Sequence, residues 1–349
     1  MKRITIETSS PYEALIGENL LDKAGEYMRE AGIGAKKAFI VSDDTVLALY
    51  GKRVKDALAA AGYAPFTLAF EHGEKHKTLA TVEKILSTLC AAEITRSDVL
   101  VALGGGVVGD VCGFAAAVYL RGVKFVQIPT TLLAAVDSSV GGKTGVDLPA
   151  GKNLAGAFHQ PSLVLCDTSV ISSLPENLYS EGMAEVVKYG MIKNAAFFEE
   201  LEAGKADTEN IVETSVRTKA EIVKNDEFDR GERMLLNFGH TFGHAAEKLS
   251  GFGMSHGEGV ALGMVFACRY AEETGFLREE GLRGRLERAL ARYRLPALCP
   301  FTGRELFKAM TNDKKRFGDT IHLVLPRRAG LAEICPTPVE TCGEVMEKL

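Results

Sequence analysis

The spacing of apolar and polar positions divides the chain into two regions of different character. In the first half, short apolar segments typical of strands alternate with segments of helical periodicity. The strand-like segments are 37–42, 66–70, 99–103 and 125–129, and the helix-like segments are 54–61 and 78–92. Strands separated by helical stretches predict a parallel sheet with crossover helices, which is an α/β fold.

Beyond Pro175, helical patterns dominate. The predicted helices are 184–192, 210–224, 239–249, 259–274 and 279–291, and only 320–325 resembles a strand. A chain of 349 residues is long for a single hydrophobic core, which favours two domains. We place the boundary at Ser172–Pro175, with an α/β domain over residues 1–174 and a mainly α-helical domain over residues 175–349.

Composition and charge narrow the class of protein. The 46% apolar and 25% charged content is ordinary for a soluble globular protein, and the formal net charge of -5 argues against a nucleic-acid partner. The N-terminus has no apolar signal core, and no apolar run approaches the roughly 18 residues that span a bilayer. The seven cysteines are scattered without a Cys-x-x-Cys pair, as is typical of reduced thiols. We therefore expect a soluble, cytoplasmic protein without a membrane partner.

A glycine-rich turn follows the predicted strand 99–103. Its pattern, Gly104-x-Gly106-x-x-Gly109, is used where a strand meets a helix and backbone amides approach a pyrophosphate. The acidic residue usual about 20 positions later is missing, since Asp137 comes 28 positions after Gly109. The motif alone therefore leaves two interpretations open: a dinucleotide-binding turn, or a tight strand-to-helix turn without a ligand.

Histidines and a carboxylate in the second half indicate a metal site. His240 and His244 are four residues apart on a predicted helix, so both face one side. His256 follows in a glycine-flanked loop before the next helix, while Glu181 and Glu185 lie near the start of an earlier one. Two or three histidines with one carboxylate suit a divalent ion such as zinc, with a coordination position left for substrate. The alternative is that the histidines only cap helices or bond within the core.

Several basic residues stand beside the glycine, asparagine and histidine motifs. They are Arg121, Lys143, Lys152, Lys188, Lys219, Arg233, Lys314 and Lys315. If they converged on one pocket they would bind a phosphate and a carboxylate, because arginine grips either group through two parallel hydrogen bonds. The sequence alone does not show such convergence.

Taken together, the motifs closely resemble the 3-dehydroquinate synthase family. The matching segments are 104–110, 119–122, 127–133, 137–144, 151–153, 182–188, 236–244, 256–258 and 313–315. They occur in order over nearly the whole chain, which is far more specific than any single motif.

The resemblance implies a lyase of the shikimate pathway of aromatic amino acid biosynthesis. Its reaction converts 3-deoxy-D-arabino-heptulosonate 7-phosphate to 3-dehydroquinate and phosphate, with NAD and one divalent metal ion, zinc or cobalt. In this family NAD is not consumed, because transient oxidation and phosphate elimination are followed by reduction, ring opening and an intramolecular aldol closure. A metal ion suits such chemistry as a Lewis acid, while the cofactor carries the hydride.

The resemblance also assigns residues. The metal ligands would be Glu185, His240 and His256, and His244 would instead contact substrate and relay a proton. Substrate contacts would come from Arg121, Lys143, Asn153, Lys188, Lys219, Arg233, Asn237, His244 and Lys315, of which Lys143, Lys188, Lys219, Arg233, Asn237 and His244 are also assigned to catalysis. NAD contacts would come from Asp43, Glu74, Lys77, Gly105, Gly106, Val107, Asp110, Thr130, Thr131, Asp137, Ser138, Lys152 and Ser173. In this family the arginine at position 121 reaches across a subunit interface, so a homodimer is expected.

Competing interpretations share parts of this chemistry. Another sugar phosphate cyclase, such as a 2-deoxy-scyllo-inosose or valiolone-type synthase, would act on a substrate without a carboxylate. The presence of Lys219 and Arg233, the expected carboxylate partners, favours dehydroquinate synthase. A metal-dependent polyol dehydrogenase would produce NADH. A non-catalytic nucleotide-binding protein would have no need for the three metal ligands.

Overall fold

The computed structural model describes residues 1–251, 253–311 and 319–349. The chain forms two compact units. The first comprises Met1–Pro175 and Thr208–Glu227, and the second comprises Glu176–Asp207 and Phe228–Leu349. The first unit is α/β with a mainly parallel sheet and the second is mainly helical, which confirms the predicted fold class.

Within the described ranges, the helices and strands have the following bounds. The α-helices are α1 (Ala24–Glu30), α2 (Asp44–Val46), α3 (Lys52–Ala60), α4 (Leu79–Ala91), α5 (Gly106–Val118), α6 (Thr168–Ser172), α7 (Glu176–Lys193), α8 (Ala195–Ala203), α9 (Thr208–Asn225), α10 (His240–Leu249), α11 (His256–Glu273), α12 (Leu282–Arg292), α13 (Gly303–Thr311) and α14 (Val339–Met346). The strands are β1 (Lys2–Ile6), β2 (Tyr12–Gly17), β3 (Lys37–Asp43), β4 (Ala64–Phe70), β5 (Val99–Gly104), β6 (Lys124–Pro129), β7 (Lys143–Leu148), β8 (Gly151–Phe158), β9 (Leu163–Asp167), β10 (Thr320–Arg328) and β11 (Leu331–Pro338). None of these helices is both long and apolar enough to cross a membrane.

The first unit is built on a seven-stranded sheet in the order β1-β2-β9-β6-β5-β3-β4. All neighbours pair in parallel except β1 and β2, which are antiparallel. Strand β5 is buried along its whole length, because its alternate residues enter two different cores. Val101 packs with residues of α1 and α3 on one face, and Leu100 packs with residues of α4 and α5 on the other.

A small hairpin, β7–β8, completes the first unit. The strands pair antiparallel from Lys143 opposite Phe158 to Leu148 opposite Gly151. The hairpin packs on α5, where a side chain at Gly113 would place its Cβ 2.5 Å from Thr144 Cγ2. The absence of a side chain at Gly113 therefore lets the hairpin approach the helix that follows the glycine turn.

The second unit contains a two-stranded hairpin, β10–β11, where the sequence suggested a single strand. Thr320 pairs with Pro338 and Leu325 with Glu333. The expectation of one strand was wrong because β11 contains two prolines and little apolar alternation. Proline is tolerated at the edge of a sheet, and a two-stranded sheet consists of edges alone.

Candidate active site

The glycine turn joins β5 to α5 in the first unit. Gly105 is the residue before the helix and Gly106 is its first residue. A Cβ at Gly105 would lie 3.2 Å from Thr131 Cγ2, and one at Gly106 would lie 3.2 Å from Ser138 Oγ. The turn therefore sits against two other residues that the resemblance assigned to the cofactor.

The same turn fits a dinucleotide. The first turn of α5 carries no acidic side chain, so its amide groups and the positive end of the helix dipole remain available to an anion such as a pyrophosphate. Thr130, which follows β6, is buried, and its hydroxyl has no hydrogen-bond partner among the described residues. A buried hydroxyl without a partner is costly, so the observation points to a polar ligand at this position.

Lys77 links two other predicted ligand residues near the turn. Its Nζ lies 2.6 Å from Asp110 Oδ2 and donates to Asn153 Oδ1 at 2.6 Å. Burial works to lower the pKa of Lys77, but the charges of Asp110 and Glu74 outweigh burial and raise this pKa. Lys77 is therefore protonated, and it connects α5 to the hairpin strand β8.

Other predicted residues of the first unit have defined places. Asp43 accepts a hydrogen bond from Val46 N at 2.8 Å, and Ser173 Oγ donates to Val170 O at 2.8 Å. The remaining residues are Glu74 in a short 3₁₀ turn, Val107 on α5, Arg121 just after α5, Asp137 in the helical turn Ala134–Ser138, Lys143 on β7, Lys152 on β8 and Lys219 on α9.

Glu185, His240 and His256 come together in the second unit. One ligand atom from each lies within 4.8 Å of the others. Glu185 Oε1 is 3.4 Å from His240 Nε2 and 3.5 Å from His256 Nε2, and the two histidine ring centroids are 5.3 Å apart. Nitrogen and carboxylate oxygen ligands in this number suit a zinc-type site with room for a further ligand.

Glycines explain why the helices that carry the two histidines lie so close. A Cβ at Gly263 of α11 would lie 1.8 Å from Gly239 O, and one at Gly243 of α10 would lie 2.5 Å from Gly259 O. Gly239 also has a positive φ of 83°, a conformation that glycine adopts without strain. Helices α10 and α11 therefore meet at backbone distance, which brings His240 next to His256.

His256 is the first residue of α11, not part of a loop as the sequence suggested. Ser255 precedes it, accepts a hydrogen bond from Glu258 N and donates its own N–H to Glu258 Oε2 at 2.9 Å. This capping box starts the helix three residues earlier than the apolar pattern indicated. The Ser-x-x-Glu spacing was the signal that could have revealed it.

The electrostatics of Glu185 favour a bound cation. Its side chain is fully buried, and neither oxygen accepts a hydrogen bond of normal geometry from the described residues, although Lys188 Nζ lies against Oε2. Burial works to raise the pKa of Glu185, but the charges of Lys188 and His240 hold it well below its usual range. Lys188 therefore compensates the charge at Oε2, whereas the buried Oε1 faces the Nε2 atoms of both histidines and remains available to a metal ion.

Further predicted residues accompany this group in the second unit. His244 is exposed, with its ring centroid 5.4 Å from that of His240. Lys188 and Arg233 are only 1% and 2% exposed, which is rare for cations and typical of functional sites. Asn237 ends a 3₁₀ turn just before α10. Lys315 and Lys314 lie outside the described residues.

Sequence reasoning missed Glu247. It is buried on α10, and its Oε1 lies 3.0 Å from His256 Nδ1. Burial works to lower the pKa of His256, but Glu185 and Glu247 raise it to about 10. The seven-residue spacing from His240, which places both side chains on one helix face, could have identified Glu247.

Two solved structures establish the class of protein. A 2-deoxy-scyllo-inosose synthase, solved in complex with carbaglucose-6-phosphate, NAD+ and Co2+, superposes with a TM-score of 0.87 at 25% identity over 99% of both chains. ValA, a 2-epi-5-epi-valiolone synthase from Streptomyces hygroscopicus subsp. jinggangensis 5008 with NAD+ and Zn2+ bound, gives 0.86 at 27% identity over 99% of both chains. The fold is that of the sugar phosphate cyclases.

Sequence comparison narrows this class to one family. The family models for the 3-dehydroquinate synthase N-terminal and C-terminal domains match residues 67–181 and 182–316. A 3-dehydroquinate synthase of Streptococcus sanguinis is 44% identical over 347 residues, with 97% of each chain covered. The chain belongs to the 3-dehydroquinate synthase family, whose members are enzymes of the phosphate-eliminating cyclase type.

Proposed function

We propose that the chain converts 3-deoxy-D-arabino-heptulosonate 7-phosphate to 3-dehydroquinate and phosphate, with NAD and one divalent metal ion, zinc or cobalt. The observation that carries the proposal is the convergence of Glu185, His240 and His256, in which the buried Glu185 Oε1 has no hydrogen-bond partner of normal geometry among the described residues. Membership of the 3-dehydroquinate synthase family supplies the reaction.

The residues that would hold the two groups lie in different parts of the chain. Glu185, His240 and His256 would bind the metal ion. NAD would contact the glycine turn and the residues assigned with it: Asp43, Glu74, Lys77, Gly105, Gly106, Val107, Asp110, Thr130, Thr131, Asp137, Ser138, Lys152 and Ser173. When bound, the metal ion supplies a Lewis acid for substrate oxygens, and NAD accepts a hydride and later returns it.

The remaining assigned residues bind and orient an anionic substrate. Their cationic side chains would pair with its phosphate and carboxylate, and Asn153 and Asn237 would bond its hydroxyls. The set is Arg121, Lys143, Asn153, Lys188, Lys219, Arg233, Asn237, His244 and Lys315. His244, whose ring is exposed beside His240, would hold and release a proton at a ring nitrogen.

A second candidate function is that of another sugar phosphate cyclase. The solved structures of that kind share the whole fold but only 25% and 27% of the sequence, against 44% for the dehydroquinate synthase relative. Lys219 and Arg233 are also the residues that the resemblance assigns to a substrate carboxylate, which the substrates of the other cyclases lack. Both observations favour dehydroquinate synthase.

We further propose a cytoplasmic homodimer in which Arg121 serves the partner subunit. Arg121 is exposed in a segment of positive φ that follows α5, and its neighbours Val118 and Leu120 are also exposed. Exposed apolar side chains beside an assigned substrate residue support a subunit contact there. The seven free cysteines support a reducing compartment.

The test is an assay with the heptulosonate phosphate, with and without NAD and a chelator. Equal amounts of phosphate and dehydroquinate, no net NADH, and loss of activity on chelation are expected. No phosphate release from the metal-loaded protein would refute the proposal. Release from glucose 6-phosphate instead would indicate a different cyclase, and net NADH from simple polyols would indicate a dehydrogenase.

A further inference from the structure

The imidazole ring of His256 lies between two buried carboxylates on two different helices. Its Nε2 is 3.5 Å from Glu185 Oε1 on α7, and its Nδ1 is 3.0 Å from Glu247 Oε1 on α10. Both carboxylates are nearly inaccessible to solvent, with Glu185 at 0% and Glu247 at 3% exposure. The two nitrogens of one ring therefore have separate acidic partners.

The packing around Glu247 holds its carboxylate in place. Glu247 shares one face of α10 with His240 and His244, at a spacing of seven and three residues. On the neighbouring helix, a Cβ at Gly259 would lie 2.9 Å from both Cγ and Oε1 of Glu247. Glycine at position 259 thus leaves the space that the carboxylate occupies beside His256.

A histidine that binds a metal ion does so through a deprotonated nitrogen. When the other ring nitrogen donates to a carboxylate, the tautomer and the ring orientation are fixed and the ligand becomes more basic. We propose that Glu247 is a positioning residue that accepts the Nδ1 hydrogen bond of His256 and so directs its Nε2 to the metal ion. This inference rests on the metal site proposed above and deepens it.

The geometry distinguishes this role from that of a direct ligand. His244, Glu247 and His256 also bring ligand atoms within 4.8 Å of one another. However, Glu247 Oε1 already accepts a hydrogen bond from His256 Nδ1, whereas Glu185 Oε1 faces the Nε2 atoms of both histidines and has no hydrogen-bond partner of normal geometry among the described residues. Glu185 is therefore the carboxylate that is available to the metal ion. Glu247 instead contacts the ligand His256 at its other ring nitrogen.

The experiment compares zinc affinity and cobalt spectra in variants of the full chain. Zinc affinity is measured by competition with a chromophoric chelator, and the visible absorption of the Co2+ protein reports the geometry of the ligands. We expect E247Q, which keeps the shape of the side chain but removes its charge, to weaken zinc binding about 10-fold or more and to shift the cobalt bands. E280Q, a change of the same type at an exposed position, should leave both unchanged.

A second variant, G259A, tests the same contact without altering any charge. Its added methyl group would displace the Glu247 carboxylate, so we expect zinc binding to weaken in the same direction and the cobalt bands to shift. Circular dichroism and thermal unfolding of the metal-free proteins show whether each variant is folded. If only one of the two variants folds, that variant alone is enough for the test.

The outcomes separate this inference from the proposed function. If E185A abolishes zinc binding but E247Q and G259A both bind as the unaltered protein does, the inference is refuted and the metal site stands. If E247Q and H244A abolish binding while E185A retains it, Glu247 is a direct ligand and the inference is wrong. If the unaltered protein takes up no zinc, the inference and the proposed metal site both fail.

Discussion

Lys219 donates hydrogen bonds from Nζ to both the backbone carbonyl and the carboxylate of Asp137, each at 2.7 Å. Lys219 lies on α9, and this helix belongs to the first unit although the residues before it, Glu176–Asp207, belong to the second. A lysine assigned to the substrate is thus bonded, within one unit, to an aspartate assigned to the cofactor.

The Lys219–Asp137 pair should contribute measurably to stability. K219M removes a cation whose side chain is only 6% exposed, so Asp137 loses two charge-assisted hydrogen bonds. We expect the free energy of unfolding to fall by about 1–3 kcal/mol in denaturant titrations. K224M is the matched control, because Lys224 on the same helix pairs with Glu7 at the surface, and such a pair is worth about 0–1 kcal/mol. Equal losses for the two variants would contradict the prediction.

Arg233 should affect the substrate and not the cofactor. We expect R233Q to lower kcat/KM for the heptulosonate phosphate at least about 100-fold, since a charge pair with the substrate carboxylate would be lost. The dissociation constant of NAD, measured by calorimetry, should change less than about twofold. Because Arg233 is buried, circular dichroism must first show that the variant is folded. Equal weakening of substrate and NAD binding would count against its assigned role.

Replacing Glu185, the proposed metal ligand on α7, should abolish metal binding. Replacing Glu181, one turn earlier on the same helix, should leave metal binding nearly unchanged. E185A deletes the buried carboxylate, and we expect zinc affinity to fall more than about 100-fold. E181Q alters the carboxylate four residues earlier, outside the group of ligand atoms, and should change zinc affinity less than about threefold. Metal content after dialysis, measured by mass spectrometry, provides the check. A metal-loaded E185A protein would contradict the assignment.

The cysteines should differ widely in reactivity. Cys90 is exposed, whereas burial raises the pKa of Cys112 and Cys268, and burial with the charge of Asp167 raises the pKa of Cys166 to about 12. Because the thiolate is the reactive form, alkylation at pH 8 should modify Cys90 at least about 1,000-fold faster than the three buried thiols. Mass spectrometry of peptides after timed alkylation measures this order, and C90S should lose the fast phase. Rapid labelling of Cys166 in the folded protein would be inconsistent with the fold.

The sequence predicts those parts of the fold that have a local pattern. Strand β5 and helix α5 follow from an apolar run and a glycine turn, and helices α7, α10, α11 and α12 follow from their 3.6-residue period. Helices α8, α13 and α14 of the second unit were not predicted. Strand β11 was missed because its prolines and polar residues conceal the alternation. The local sequence pattern could not predict that α9 belongs to the first unit. That placement depends on long-range contacts, such as the one between Lys219 and Asp137.

The sequence predicts those residues of the candidate site that lie in a recognisable motif and also have side chains suited to binding a metal ion. The spacing of His240 and His244 indicated a helix face, and the resemblance singled out Glu185 and His256. Their convergence depends on close packing at Gly243 and Gly263, which no single-sequence pattern expresses. The seven-residue spacing from His240 could have drawn attention to Glu247, but a lone glutamate on a helix is usually solvated, and only the packing shows that it is buried.

Arg121 offers a test of the proposed dimer through mixed subunits. R121A and H244A should each be nearly inactive alone. If Arg121 acts in the partner's active site, a mixed dimer has one site that lacks both groups and one site that is complete. Random exchange of subunits makes half of the dimers mixed, so activity should recover to about a quarter of that of the unaltered protein. Light scattering establishes the oligomeric state, and phosphate release measures the recovery.

The control for this experiment pairs H244A with R233Q, two residues of the second unit that would serve the same subunit's site. A mixed dimer of these variants has no complete site, so no activity should return. If R121A and H244A also fail to restore activity after subunit exchange has been demonstrated, Arg121 does not serve the partner. The exposed apolar side chains of Val118 and Leu120 beside Arg121 would then require another explanation. An arginine that acts within its own subunit does not need an apolar surface around it.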